Sequence, residues 1–315
     1  MNDPSQFVES AIARLRAEVP GNAIVAASGG IDSTVAAVLA QRALGPRARA
    51  IFVDTGLLRQ GEVETVSALF REAHLEFEIV PAADRFLGSL EGVVDPEEKR
   101  RRIGSAFIRL FEAEAARHAT DRLIQGTIAP DWIESGGSIR DTIKTHHNVG
   151  GIPPDSKLRL VEPLRDLYKD EVRAVATFLG VPSPERQPFP GPGLAVRVVG
   201  PVQADRVRRA RIANAIVEEE IERAVGEQLL DRPWQYFAVL LPVRTVGVLG
   251  DNRVHGEAVS VRVVESLDAM TATAAEIPRI VLARIAERIT RALHGEVVRV
   301  LYDISDKPPA TIEWE

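Results

Sequence analysis

The chain has 315 residues, 39 basic against 45 acidic for a formal net charge of −6, and no cysteine. The lack of thiols excludes disulfides, cysteine-ligated zinc, iron–sulfur centres and a cysteine nucleophile, and the acidic balance argues against a general affinity for nucleic acid. No apolar run approaches the ~20 residues of a membrane span. The opening MNDPSQFVES carries acids without a basic flank, unlike a secretory signal, so a cytoplasmic protein is expected.

The length suggests two domains. NAIVAA reads as a strand, followed by a helix from about Asp32 to Ala43. RARAIFVD is a second strand ending at Asp54, then a helix from about Gly61 to Ala73, then the strand LEFEIVP. Asp95-Pro96 and two glutamates open a helix with apolar residues at Ile103, Phe107, Leu110 and Phe111. DRLIQGT and KLRLVEP are a fourth and a fifth strand, and LYKDEVRAVATFLG is an amphipathic helix stopped by Gly180 and Pro182. Alternating strands and helices predict an α/β fold, a parallel sheet flanked by helices. The Pro- and Gly-rich VPSPERQPFPGPGLAV breaks the pattern and places a domain boundary near residue 190, giving domains over 1–190 and 191–315. Beyond it come a long helix (about Gln203 to Ala224), the strand-like runs YFAVLLPV and AVSVRVVES, a helix from Pro278 to Leu293, and the run VVRVLYDIS, a smaller α+β domain.

The stretch ASGGIDSTVAAVLA (27–40) joins the first strand to the first of these helices and concentrates glycines and hydroxyls without a lysine. Glycines let a backbone approach an anion, and a helix N-terminus attracts one. A carboxylate such as Asp32 repels phosphate unless a cation lies between them, and magnesium prefers carboxylate and phosphate oxygens together. Asp32 is therefore a candidate magnesium ligand beside a pyrophosphate. The competing reading is a plain strand–helix turn in which Ser28 or Asp32 caps the helix.

The pattern Ser-Gly-Gly-x-Asp-Ser resembles the pyrophosphate loop of the N-type ATP pyrophosphatases, which is distinct from the Walker loop. FVDTGLLR (52–59), DRFL (84–87), DPEEKRRRIG (95–104), QGTIAPDWIES (125–135), IKTHHNVGG (143–151), VEPLRDLYKDEVR (161–173), PFPGPGLAVRV (188–198), LPVRTVGVLGD (241–251) and YDISDKPPATIEWE (302–315) resemble, in order, the GMP synthetase family within that superfamily. The resemblance implies an adenine-nucleotide alpha-hydrolase-like sheet domain followed by a dimerisation domain. It also implies a reaction: ATP adenylates O2 of xanthosine 5′-monophosphate (XMP), pyrophosphate leaves, and ammonia displaces AMP.

The same resemblance implies residue roles. Ser28, Gly29, Gly30, Ile31, Asp32, Ser33 and Thr34 would hold the ATP phosphates and magnesium, and Val53, Asp54 and Gly56 would face adenosine. Asp131, Glu134, Lys144, His146 and His147 would be catalytic, the last three on a lid. Arg100, Pro190, Gly191, Gln235, Asp251, Arg253, Lys307, Thr311, Ile312 and Glu313 would bind XMP. Plainer readings stand beside these: a solvated helix charge for Arg100, an N-cap and capping-box partner for Asp131 and Glu134, and a rigid linker for PFPGPG. Gln187 stands where many members carry histidine, and His255 where tyrosine is frequent.

The alternative function is a tRNA-base-modifying ATP pyrophosphatase, a class that usually needs basic surface and often catalytic cysteines; a non-catalytic nucleotide-binding subunit is a further rival. Many GMP synthetases carry a glutaminase domain with a cysteine nucleophile. With only ~20 residues ahead of the loop and no cysteine in 315 residues, this chain is expected to be a synthetase subunit, a homodimer that receives ammonia from a separate glutaminase subunit.

Overall fold

A computed structural model describes residues 3–130, 156–182, 186–267 and 269–315. The chain divides into two compact units: Met1–Gly56, Gly61–Ser89 and Arg100–Glu185 form the first, and Leu57–Gln60, Leu90–Lys99 and Arg186–Glu315 the second.

The first unit is built on five parallel strands: β1 (Ala23–Ala26), β2 (Ala48–Asp54), β3 (Phe77–Pro81), β4 (Arg122–Ile124) and β5 (Arg159–Val161), in the order β3-β2-β1-β4-β5. Val25 of β1 registers with Ala50 on one side and Ile124 on the other. Its neighbours Ala23 and Ile24 are buried with it. Central strands of a parallel sheet lose both faces to helices, which is why the run is apolar rather than alternating.

The helices are α1 (Pro4–Glu18), α2 (Ile31–Leu44), α3 (Glu62–Glu72), α4 (Ala83–Ser89), α5 (Pro96–Arg117) and α6 (Lys169–Leu179). The first four residues of α5 group with the second unit. α1 begins where Asp3 accepts a hydrogen bond from the Ser5 amide and Pro4 occupies the first turn. That is a strong start signal, for a helix that the strand–helix alternation alone does not announce. α2 is buried from Ser33 through Ala40 and again at Ala43 and Leu44, so it is enclosed rather than amphipathic. α6 ends as expected, with Gly180 at φ +72° donating to the Ala176 carbonyl.

The second unit has α7 (Ala204–Gly226), β6 (Gln235–Leu249), β7 (Asn252–Glu265), β8 (Thr273–Ala274), α8 (Arg279–Ala292) and β9 (Val297–Asp303). β7 pairs antiparallel with β6 and β8 and parallel with β9. α7 packs on β6 and α8 on β9, and Phe237, Val239, Leu241, Ala258, Val264, Ala272 and Ile312 form one apolar cluster. The strand-like runs at 236–243 and 258–266 are the buried halves of a longer hairpin. β6 and β7 continue through an exposed half to the two-residue turn Gly250-Asp251, with Gly250 at φ +56°. Among the described helices none is long and apolar enough to cross a membrane.

Candidate functional site

The chain runs outward from β1 to β2 and β3, then returns to place β4 on the other side of β1. That reversal puts the topological switch point between β1 and β4, and the crevice outside the carboxyl ends of these strands is where open α/β sheets bind ligands. The loop 27–30 leaves β1 there, and residues 125–130 leave β4 there.

At the first loop Gly29 adopts φ +80°, and a Cβ on it would lie 2.5 Å from Val66. Gly30 is the N-cap of α2, with no side-chain cap. The Gly30 amide donates to Ser28 Oγ at 3.4 Å, and the electropositive end of α2 faces this loop. The hydroxyls are ordered locally: Ser33 Oγ lies 3.0 Å from Ser28 Oγ and accepts the Ser28 amide at 3.1 Å, while Thr34 Oγ1 donates to the Gly30 carbonyl at 2.8 Å. Ile31 opens α2 as its first residue.

Asp32, in the first turn of α2, holds Lys169 Nζ with both carboxylate oxygens, at 2.9 and 2.8 Å. A cation thus already sits on the carboxylate that was expected to hold magnesium. A partly exposed, oxygen-only donor beside a helix N-terminus fits a hard divalent ion.

The second loop supplies what the motif reading missed. A Cβ on Gly126 would fall 2.7 Å from the backbone of Asp32 and Ser33, so only glycine lets β4 approach the start of α2 this closely. On either side of it, Gln125 and Thr127 are buried, and among the described residues Gln125 Oε1 and Thr127 Oγ1 have no hydrogen-bond partner. Orphaned buried polar atoms at a ligand crevice are a signal of a ligand or ordered water, and nothing in sequence spacing announces them. At the end of β2, Val53 is buried, and Asp54 accepts the Gly56 amide at 3.0 Å in a tight turn. A Cβ on Gly56, at φ +71°, would meet Ala83 at 2.7 Å. Arg100 is half-buried on α5. Asp131, Glu134, Lys144, His146 and His147 lie outside the described residues.

In the second unit one of the expected tail residues, Glu313, is held by a buried arginine. Arg197, fully buried, grips Glu313 with two hydrogen bonds, at 3.0 and 2.8 Å, and donates to Asn214 Oδ1 at 3.0 Å. Its guanidinium lies 4.1 Å from the centre of the Phe237 ring and 5.1 Å from that of Phe189. Gln235 Nε2 adds a third bond to Glu313, at 3.0 Å, and reaches the Pro188 carbonyl at 3.1 Å. The structure therefore brings Gln235 and Glu313 together beside the PFPGPG segment. Ile312 is in the apolar cluster, the Thr311 carbonyl accepts from Arg262, and Lys307 Nζ donates to the Ala269 carbonyl at 2.8 Å. The Pro190 carbonyl accepts the Gly193 amide at 2.9 Å, and Gly191 is exposed beside it.

Gln187 accepts the Tyr236 amide and donates to Glu218, both at 2.8 Å, so this residue has a structural task of its own. Tyr236 donates its hydroxyl to Glu222, and burial, reinforced by that carboxylate, pushes its pKa well up. Asp251 and Arg253 are exposed at the hairpin tip. The fourteen strand residues that follow Gln235 on β6 put that tip roughly 45 Å away at strand rise, so one chain does not bring these two residues to Gln235 and Glu313.

Residues 219–314 match the model of the GMP synthase C terminal domain, and residues 1–104 match that of NAD synthase. The B subunit of glutamine-hydrolyzing GMP synthase from Pyrococcus horikoshii is 56% identical over 99% of this chain and 100% of its own length. The Thermococcus kodakarensis protein of the same name is 58% identical over 98% of this chain and 99% of its own, and that of Thermoplasma acidophilum 52% over 99% of each. The structure of NMN synthetase from Francisella tularensis superposes with a TM-score of 0.50 at 18% identity, covering 62% of this chain and 79% of that one, which bears on the fold alone. Full-length identity at this level does not favour a tRNA-modifying enzyme, and the chain belongs to the family of the B subunit of glutamine-hydrolyzing GMP synthase.

Proposed function

We propose that this chain makes GMP from XMP, ATP and ammonia, as a carbon–nitrogen ligase that splits ATP to AMP and pyrophosphate. An oxo group leaves poorly, so O2 of XMP is first adenylated, and ammonia then displaces AMP at C2. The observation that carries the reading is identity of 50–58% over nearly the whole chain to proteins named as the B subunit of GMP synthase. That name also supports a separate glutaminase subunit as the ammonia source, since the 315 residues contain no cysteine.

The site geometry supports specific roles. The backbone and hydroxyls of Ser28–Thr34 receive the β- and γ-phosphates at the N-terminus of α2, which the end of β4 can approach closely because residue 126 is glycine. Asp32 would hold magnesium there. When bound, the ion neutralises phosphate charge and favours departure of pyrophosphate. Val53, Asp54 and Gly56 take adenosine. Asp131, Glu134, Lys144, His146 and His147 act on the reacting groups. Arg100, Pro190, Gly191, Gln235, Lys307, Thr311, Ile312 and Glu313 bind XMP, with Gln235 and Glu313 offering donor and acceptor atoms to the base.

Asp251 and Arg253, far along the hairpin, serve the nucleotide of a second copy. A homodimer through this sheet is supported by Val243, Val246 and Val248, which are 53%, 49% and 71% exposed along the same stretch of β6. The protein works in the cytoplasm, where its nucleotides are. The test of the function is AMP release from magnesium-ATP by the purified chain in the presence of ammonium, with XMP or tRNA as acceptor. Release with XMP alone is expected, and release with tRNA but not XMP would overturn the reading.

A further inference from the structure

Among the described lysines, Lys99 is entirely buried. In the first turn of α5, it pairs with Glu315, whose side chain is 6% exposed. Lys99 Nζ also donates to the Val198 carbonyl at 2.8 Å and approaches the Ala195 carbonyl at 3.5 Å. The second carboxylate oxygen of Glu315 accepts the Gly200 amide at 3.0 Å. Both charges therefore have partners, as a buried pair must if desolvation is not to dominate.

The pair ties three segments of the second unit: the head of α5, residues 195–200 and the end of the tail. Arg197, which grips Glu313, belongs to that same 195–200 stretch. Glu313 and Glu315 thus dock, two residues apart, onto one short segment through two buried cations. One anchor alone would leave the tail backbone free to pivot about Glu313. The second fixes its direction, and with it the position of Ile312 and Thr311.

We propose that Lys99 and Glu315 form a positioning lock for the nucleoside monophosphate: Glu315 touches no substrate but sets Glu313 and the preceding residues in the geometry that receives the purine base. The lock rests on the reading of the tail as the XMP-binding segment. The apolar alternative is informative, because buried ion pairs are often no more stabilising than well-packed apolar residues. A complete pair at this place is then better explained by geometry than by stability.

The test is steady-state kinetics of the full chain with ammonium as nitrogen source. Glu315→Gln keeps the shape and removes the charge, and it is expected to raise KM for XMP ~10-fold while kcat and KM for ATP stay within about twofold. Glu315→Asp, which retains the charge on a shorter arm, is measured alongside in case the first variant fails to fold, and is expected to raise KM for XMP ~3-fold. Lys99→Arg keeps a cation with a different shape and should fall between Glu315→Gln and the unaltered protein. A lower thermal midpoint or kcat with KM for XMP unchanged in both Glu315 variants would make the pair structural only and overturn the lock. Glu313→Gln separates the two layers: an unchanged KM for XMP there sinks the assignment of the tail itself. A raised value there, with unaltered Glu315 variants, sinks the lock alone.

Discussion

At the scale of single residues the account turns on Asp32. Its carboxylate sits in the first turn of α2 and already holds a cation, Lys169, on both oxygens. Replacing it by Asn keeps the volume and removes the charge. Asp32→Asn is expected to raise the magnesium-ATP KM ~10-fold or more at limiting magnesium, because a charged contact is lost, while the thermal midpoint changes little. Normal turnover under those conditions would reduce Asp32 to an ordinary first-turn acid. Gly126 gives a steric counterpart. Its added Cβ would sit 2.7 Å from backbone atoms that cannot rotate away, so Gly126→Ala is expected to cost about 1–3 kcal/mol of overpacking and to weaken ATP use. An alanine variant with native melting and native KM for ATP would contradict the close approach. The loop was legible in the sequence because glycines and hydroxyls cluster within seven residues. Lys169 and Gly126 were not, because each lies in an unremarkable stretch more than ninety residues away and only the strand order brings it to the loop.

At the scale of elements the tail is the clearest case. Residues 304–315 form no long strand, yet they are held by Arg197, Arg262, Lys99 and Gln235 and place Ile312 in an apolar cluster. Deleting residues 306–315 would strip partners from buried cations, each loss costing about 3–5 kcal/mol. The deletion is expected to abolish XMP-dependent AMP formation and to lower the thermal midpoint. Retained activity in the truncated chain would show the tail to be dispensable. Nothing local in the tail sequence points to the buried cations that hold it: Lys99 and Arg197 lie more than a hundred residues from their carboxylate partners Glu315 and Glu313. The hairpin shows the opposite limit. Its buried halves were read from apolar runs, whereas its exposed half lacks that contrast, and the Gly250-Asp251 turn was the local signal that would have joined the two strands.

At the scale of the whole molecule, charge pairs distributed over both units set the response to acid. Burial pushes Glu78 up, but the Arg117 hydrogen bond and the Arg117, His118 and Arg49 charges outweigh it and hold its carboxyl below the usual range. Glu296 is held low chiefly by the Arg208 hydrogen bond, against burial. A carboxyl whose folded pKa is depressed contributes its stability above the unfolded value, about 4.3, and loses it as pH falls through the folded one. The thermal midpoint is therefore expected to be level down to about pH 4.5 and to fall below it. Both carboxylates are about a third exposed, so each contributes no more than about 1 kcal/mol. Glu78→Gln/Glu296→Gln should flatten the acid limb, and an unchanged limb would assign it to other carboxylates. The alternation of strands and helices, the parallel sheet and the smaller second fold were all legible in the sequence, since each rests on local hydrophobic period. The extent of the second unit was less so, because Leu57–Gln60 and Leu90–Lys99 join it across long gaps in the chain.

The central claim is that this chain aminates XMP with free ammonia and leaves glutamine to a partner. The direct measurement is GMP and AMP formed by the purified chain from XMP, magnesium and ATP, with ammonium or glutamine as the nitrogen source. Equal amounts of GMP and AMP with ammonium, and none with glutamine until a separate glutaminase subunit is added, is the predicted result. GMP formed from glutamine by the chain alone, free of contaminating glutaminase, or no GMP from ammonium, would contradict it.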